Sequence, residues 1–371
     1  MGKTVMKKTL VISGINLYNG GPLSVYKDFL NVLIENDYHL KYKIVAFVHK
    51  TELFNEYKGK VKLIELPRSR KSYLYRFYYE YFYFHKYSKK HKADIWLSLH
   101  DMTPNVKAEK RYVYCHNPSP FLKRTKTIWR LSKTYYFMSM FYKYIYRINI
   151  KKNTAVIVQQ DWLRKEFKKM YGIKNIIVAR PNVEVDVPKN IDVNIRHDRK
   201  EVFIYSAYPR PFKNFEVICM AARALKEYSD KFEVWLTIDG SENAYSDMLR
   251  KEFADVNNIK WLGLINRDEM MKKYAESDYL IFPSILETWG LPITEYEALK
   301  KPMIVADLPY AHETVGSYDK VVYFDAENSS DLANIIKKVI ASKENVFHAD
   351  EAKIPEQPFC ETWKDLADMI L

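Results

Sequence analysis

A chain of 371 residues, 47% of them hydrophobic, is long enough for about two domains with cores of their own. Ten glycines and 15 prolines exclude a collagen-like or low-complexity chain, and three distant cysteines (Cys115, Cys219, Cys360) without a CxxC pair exclude a disulfide framework and a zinc ribbon and fit a reducing compartment. The net charge of +13 is uneven: residues 1–150 hold 28 Lys and Arg against ten Asp and Glu, whereas residues 151–371 hold 31 against 36, which points to two domains with different surface tasks.

Lys3, Lys7 and Lys8 precede the apolar run Leu10–Ile15, which is too short for a signal-peptide core and has no small-residue cleavage site after it. No run approaches the about 18 uncharged apolar residues of a spanning helix. A soluble or peripheral protein is expected. In chain order, strands are predicted at Thr9–Ser13, Lys43–Val48, Val61–Leu66, Asp94–Leu99, Arg111–Cys115, Ala155–Val158 and Asn175–Val178. A helix is predicted from Pro22 to Asn36, and a long basic helix before Asp94. A second series of strands follows at Val202–Ser206, Val234–Asp239, Ile259–Leu262, Tyr279–Phe282, Met303–Ala306 and Val321–Phe324. Short apolar strands alternating with helices predict parallel sheets covered on both faces, hence two doubly wound α/β domains. Arg180–Lys189, with two prolines and no periodicity, reads as their connection.

Two segments interleave aromatics with cations. Residues 68–92 read RSRKSYLYRFYYEYFYFHKYSKKHK, and 135–146 read YYFMSMFYKYIY. Such mixtures suit an anionic bilayer interface, where rings sit at headgroup depth and cations meet phosphate. Stacked single-stranded bases or a core between helices are the competing readings. No nucleic-acid motif accompanies the charge, so no nucleic-acid partner is expected.

The sharpest motif is PSILETWGLPITE at 283–295. It follows a strand, and Pro292 suits a helix's first turn. Glu287 then lies on the loop at the sheet's carboxyl end, and Glu295 about one turn into the helix. Gly290 permits close backbone approach, and the N–H groups of Gly290 and Leu291 open a helix N-terminus suited to an anion. Two carboxylates flanking an anion site match hydroxyls on both sides of a diphosphate: hexose, diphosphate, ribose. The needed cations stand in YPRPFKN at 208–214, as Arg210 and Lys213, just after another strand.

These residues, in this order, resemble the retaining nucleotide-sugar glycosyltransferases of family 4. The resemblance covers nearly the whole chain and is strongest over about 200–316. It implies the GT-B fold, two Rossmann-like domains facing across a deep cleft, with boundaries at 1–180 for an acceptor-binding domain and 181–355 for a donor-binding domain. A C-terminal helix at 356–371 is then expected to cross back to the first domain. The resemblance matches Glu287 and Glu295 to the E-x7-E pair, contacting the transferred sugar and the ribose. It matches Lys213 to the phosphate lysine and Arg210, more loosely, to its partner arginine. Leu264, after WLG at 261–263, falls where backbone groups meet the base. Lys300 stands where a glycine is frequent. Gly20 and Gly21 resemble the glycine pair near the donor phosphate, and His116, in YCHNPSPF, the histidine facing the sugar. Asp101, in HDMTPN, is a candidate acceptor contact.

The implied reaction moves a sugar, with retained configuration, from a UDP- or GDP-linked donor to an acceptor hydroxyl. A lipid-linked saccharide of bacterial surface polysaccharide synthesis is the expected acceptor. Glu287, His116, Lys213 and Arg210 are the expected catalytic set. No Asp-x-Asp motif occurs, so no cofactor and no obligatory metal are expected. A cytoplasmic location, peripheral on the inner face of the membrane, follows from the basic, aromatic first domain. The alternatives are a GT-B nucleotide-sugar epimerase and a non-catalytic membrane- or nucleic-acid-binding protein.

Overall fold

Successive strand residues point to opposite faces of a sheet, and here both faces are apolar. Leu10, Ile12, Ile44, Ala46, Leu97 and Tyr114 enter one buried cluster. Their neighbours Val11, Val45, Phe47 and Trp96 enter another on the opposite side. Only a sheet with helices on both sides satisfies such strands. The computed structural model describes residues 7–181, 185, 187, 200–342, 346–349 and 351–371. They fall into two units. The first holds the described residues up to 121, with 139–181 and 355–371; the second holds 122–138 and the described residues from 185 to 354.

The first unit contains β1 (Lys8–Ser13), β2 (Tyr42–Val48), β3 (Lys62–Glu65), β4 (Ile95–Ser98), β5 (Lys110–Cys115), β6 (Ala155–Val158), β7 (Ile176–Ala179) and, from the chain's end, β14 (Phe359–Cys360). All pair in parallel, in the order β14-β7-β6-β5-β4-β1-β2-β3. Helix Gly20–Glu35 buries Tyr26, Phe29, Leu30 and Leu33 against one face. The closing helix Trp363–Ile370 packs beside it, with the Trp363 ring edge-on to Phe29 and tilted against Tyr114. The second unit contains β8 (Glu201–Tyr205), β9 (Phe232–Leu236), β10 (Ile259–Trp261), β11 (Tyr279–Phe282), β12 (Met303–Ala306) and β13 (Val321–Phe324). Their order is β10-β9-β8-β11-β12-β13, again all parallel.

Two expectations are corrected. The first domain is not continuous over 1–180: residues 122–138 group with the second unit. The physical reason lies in that segment's packing, since helix Lys126–Leu131 touches the turn Pro211–Lys213 and the Tyr135 ring lies 5.1 Å from that of Phe212. The long basic helix is also not one regular helix. It runs as Tyr73–Tyr78, a π turn Tyr79–Tyr83, and Phe84–His91. Its aromatics divide: Phe84 is buried on Phe47 and Trp96, with Tyr79, Tyr83 and Tyr87 packed beside them, whereas Tyr73, Leu74, Phe77, Tyr78 and Phe82 are exposed. Lys3 and residues 182–184, 186 and 188–189 of the expected connection lie outside the described residues.

Candidate active site

In the second sheet the chain begins at β8, adds β9 and β10 on one side, then returns to place β11 on the other. The connections therefore switch direction between β8 and β11, and the carboxyl end of an open parallel sheet at such a switch is where a ligand crevice is expected. These two loops carry the predicted donor residues, and they are laced together. The Tyr205 hydroxyl donates to the Lys213 carbonyl at 2.8 Å. Ile285 N donates to the Phe212 carbonyl at 2.8 Å. Asn214, in a left-handed conformation, donates its side-chain amide to the carbonyls of Pro283 (3.2 Å) and Ala326 (2.8 Å). The Lys213 ammonium, so positioned, donates to the Glu287 carboxylate, and both side chains are largely buried.

Gly290 ends the second loop at φ +91°, and a Cβ there would stand 3.3 Å from both Ile293 Cδ1 and Phe282 Cε1. Helix Leu291–Ala298 starts immediately, with Pro292 in its first turn. Its first N–H groups have no intrahelical acceptor and carry the positive end of the helix dipole. Glu295 sits one turn in and half-buried. Burial pushes its carboxyl above the ordinary value, Arg267 opposes that rise, and the Tyr274 hydroxyl hydrogen-bonds to it. Tyr274 is fully buried and also bonded to Ser206 at the start of the β8 loop. Sequence reading missed Ser206, Tyr274 and Arg267, because no local pattern ties positions 206, 267 and 274 to 295.

Arg210 is exposed, with its guanidinium about 6 Å from the rings of Tyr208 and Phe212 and its carbonyl accepting from Lys213 N at 2.8 Å. It shares the Lys213 turn without an ion pair of its own among the described residues. Leu264 projects an exposed side chain after β10. Before it, Gly263 has φ +71°, and a Cβ there would approach Asp239 Oδ2 to 2.9 Å. Only glycine lets that turn pack on the end of β9.

The first sheet changes direction between β1 and β4. Gly14 leaves β1 against Tyr26, whose ring would be 2.6 Å from an added Cβ. Gly20, at φ +60°, and Gly21 open helix Gly20–Glu35. Asp101, the candidate acceptor contact, turns inward. Its buried carboxylate accepts from His116 N (2.8 Å), Asn117 N (3.1 Å) and the Tyr146 hydroxyl (2.7 Å), and its second oxygen lies 3.5 Å from His116 Nε2. Asp101 therefore positions the His116 loop. His116 Nδ1 has no partner among the described residues. Behind this loop, His100 bridges Glu80 (2.8 Å) and Asn16 (2.7 Å), with the Glu80 and His100 side chains fully buried. Arg76 donates to the His100 carbonyl.

The second unit thus offers a cation held against one carboxylate, a second carboxylate a helical turn away, and free N–H groups between them. That arrangement suits an anion flanked by hydroxyl-bearing groups. Among the described residues no group of three His, Cys, Asp or Glu is arranged to hold a metal ion.

Residues 186–353 match the family described as glycosyl transferases group 1. The chain is 20% identical over 254 residues to the O-antigen chain mannosyltransferase RfbU of Salmonella typhimurium, covering 66% of this chain and 68% of that one. It is 32% identical over 111 residues to the serotype-specific mannosyltransferase WbdA of Escherichia coli, a match spanning 30% of this chain and only 13% of that protein. Among solved structures, HepE of Anabaena in complex with UDP and glucose superposes with a TM-score of 0.62 at 14% identity, over 91% of each chain. The two parallel-sheet units are those of the GT-B fold, and residues 186–353 resemble the group 1 glycosyl transferases.

Proposed function

We propose that the chain transfers a hexosyl group, with retained configuration, from a UDP- or GDP-linked sugar to a hydroxyl of a lipid-linked saccharide in bacterial surface polysaccharide synthesis. The observation that carries this reading is the Lys213–Glu287 pair on two laced loops at the β8/β11 crevice, with Glu295 one turn into the adjoining helix. The mannosyltransferases RfbU and WbdA support mannose as the sugar. HepE with bound UDP supports a nucleoside diphosphate as its carrier.

In this reading Glu295 grips the ribose and Glu287 the transferred sugar. The donor diphosphate takes over the Lys213 ammonium from Glu287. The sugar C1–O bond to the diphosphate breaks while the acceptor oxygen bonds to C1 on the same face. The acceptor proton passes to the departing diphosphate oxygen. Lys213, Arg210 and the N–H groups of Gly290 and Leu291 hold the growing negative charge, an electrostatic effect that needs no metal. His116, fixed by Asp101, presents its ring to the sugar, and the Gly20–Gly21 turn admits the phosphate or acceptor closely. Leu264 offers its backbone to the base. The exposed Tyr73, Leu74, Phe77, Tyr78 and Phe82, beside exposed Arg68 and Lys71, supply a peripheral contact with an anionic cytoplasmic membrane face.

The test is release of UDP or GDP from labelled donors in the presence of a lipid-linked saccharide extract and EDTA, with the product's anomeric configuration read by NMR. The reading expects turnover with retention. It expects Glu287→Gln to lower kcat by about 10²–10³-fold. Inverted configuration, or full activity in the variant, would overturn it.

A further inference from the structure

At the amino ends of β1, β2 and β3, opposite the end bearing Gly20 and His116, the first unit holds a second concavity. It has a volume of about 1060 Å³. Seven lysines line it: Lys7, Lys8, Lys43, Lys60, Lys62, Lys90 and Lys92. His39 and His91 join them, and the single carboxylate is Asp94, which accepts from Thr9 N at 2.6 Å. None of the seven ammonium groups has a carboxylate within 4 Å among the described residues.

One part of this charge has a local explanation. Cations in the last turn of helix Phe84–His91 offset the negative end of its dipole, which covers Lys90 and His91. The remainder does not. Lys8 and Lys62 are the first residues of their strands and Lys43 the second, and Lys60 lies in the turn after Gly59. Three neighbouring strand starts, a turn and a helix end thus converge their cations on one hollow. Like charges so gathered repel, and the one acid present is already hydrogen-bonded. The field is felt inside the hollow: His91, tilted against Tyr87, is held below its ordinary pKa by burial and then by Lys90, Lys62 and Lys43.

The lining also fits a ligand chemistry. It contains lysines and no arginine. Lysine meets phosphate as a compact point charge, and several together suit an anion that carries several charges in a small volume. The volume is that of a small-molecule site. We infer that this hollow is a binding site for a compact, multiply charged phosphate-bearing anion, either free in solution or as the headgroup of an anionic lipid. It is separate from the donor site in the second unit and does not depend on the function proposed for it.

The test is calorimetric titration with tripolyphosphate, in a Lys213→Met background so that the proposed diphosphate site does not contribute. A pocket triple variant, Lys43→Gln/Lys62→Gln/Lys90→Gln, is compared with a control triple on the second unit, Lys226→Gln/Lys251→Gln/Lys260→Gln, which removes the same charge. The pocket triple is expected to weaken binding by at least about tenfold, and the control triple by less than about threefold. The single charge reversal Lys60→Glu, on a turn, repeats the test with less risk to folding. Co-sedimentation with phosphatidylglycerol vesicles separates the sources. A loss confined to tripolyphosphate identifies a soluble anion, and a loss confined to vesicles, or shared by both, identifies a headgroup. Binding of neither probe, or equal weakening by the pocket and control triples, would overturn the inference.

Discussion

Gly290 stands at φ +91° with two side-chain carbons waiting where a Cβ would go. Gly290→Ala therefore adds both backbone strain and crowding. It is expected to lower unfolding stability by about 1–2 kcal/mol, read from the urea midpoint. Glu295 makes the opposite case, since its burial is a cost. The folded protein holds that carboxyl above the ordinary 4.5, so it binds the proton more tightly than the unfolded chain does. The associated stabilisation is complete below the ordinary value and is lost as pH rises through the raised folded value. At pH 7 the ionised side chain disfavours folding. Glu295→Gln should raise the Tm of the ligand-free protein at pH 7, with the advantage gone below about pH 4.5. The same variant should weaken nucleotide binding. A Tm that falls equally at both pH values would show that the carboxylate is instead held by its partners. The two glutamates were legible in the sequence because a strand, a loop, a proline and a helix lie within one short stretch. Ser206, Tyr274 and Arg267 were not, because tertiary packing alone brings them to Glu295. Asp101 was legible as a polar residue after a strand, but its inward direction was not. That depends on a positive φ of 72° and on the Tyr146 hydroxyl 45 residues away.

The segment from Tyr73 to His91 shows what an element does with an ambiguous pattern. Read as a helix, its aromatics fall on every side. The π turn at Tyr79–Tyr83 divides the work: it sends Phe84 inward to Phe47 and Trp96, leaves Phe82 outside, and buries Glu80 against His100. Nothing in a local sequence signals a π turn, whose wider hydrogen-bond ring is a compromise with tertiary packing. A fully buried pair leaves an uncompensated polar group when one partner is removed. Glu80→Leu or His100→Leu alone should cost about 3–5 kcal/mol, whereas the double variant should cost clearly less than the sum, as a double-mutant cycle will show. Additivity would mean the two side chains do not act as a pair. The strand pattern, by contrast, was nearly all readable, since buried parallel strands are short apolar runs. The exception is β14, whose two residues are too few to carry a pattern.

At the scale of the whole molecule, the chain enters the first unit three times and the second twice. Residues 355–371 add β14 to β7 and lay Trp363, Leu366 and Ile370 into the first unit's core. Its last helix also ties Asp368 to Tyr38, and the Leu371 carbonyl accepts from the Tyr42 hydroxyl. Trp363→Ala is expected to destabilise the first unit by about 3–5 kcal/mol, seen as an earlier thermal transition reported by loss of near-ultraviolet dichroism. No change would mean the closing helix is an ornament on that unit. The charge asymmetry read from the sequence has its most concentrated expression in the lysine hollow, while the proposed donor residues stand on the mildly acidic second unit. The central claim, that those residues grip a nucleoside diphosphate, is tested most directly by thermal shift with UDP, GDP, ADP and CDP, without metal, on the wild type and on Glu295→Ala. A ligand at 100 times its Kd stabilises by about 2.7 kcal/mol, a shift of a few degrees. The account predicts a selective rise for UDP or GDP in the wild type that Glu295→Ala abolishes; equal rises for all four diphosphates, or none, would contradict it.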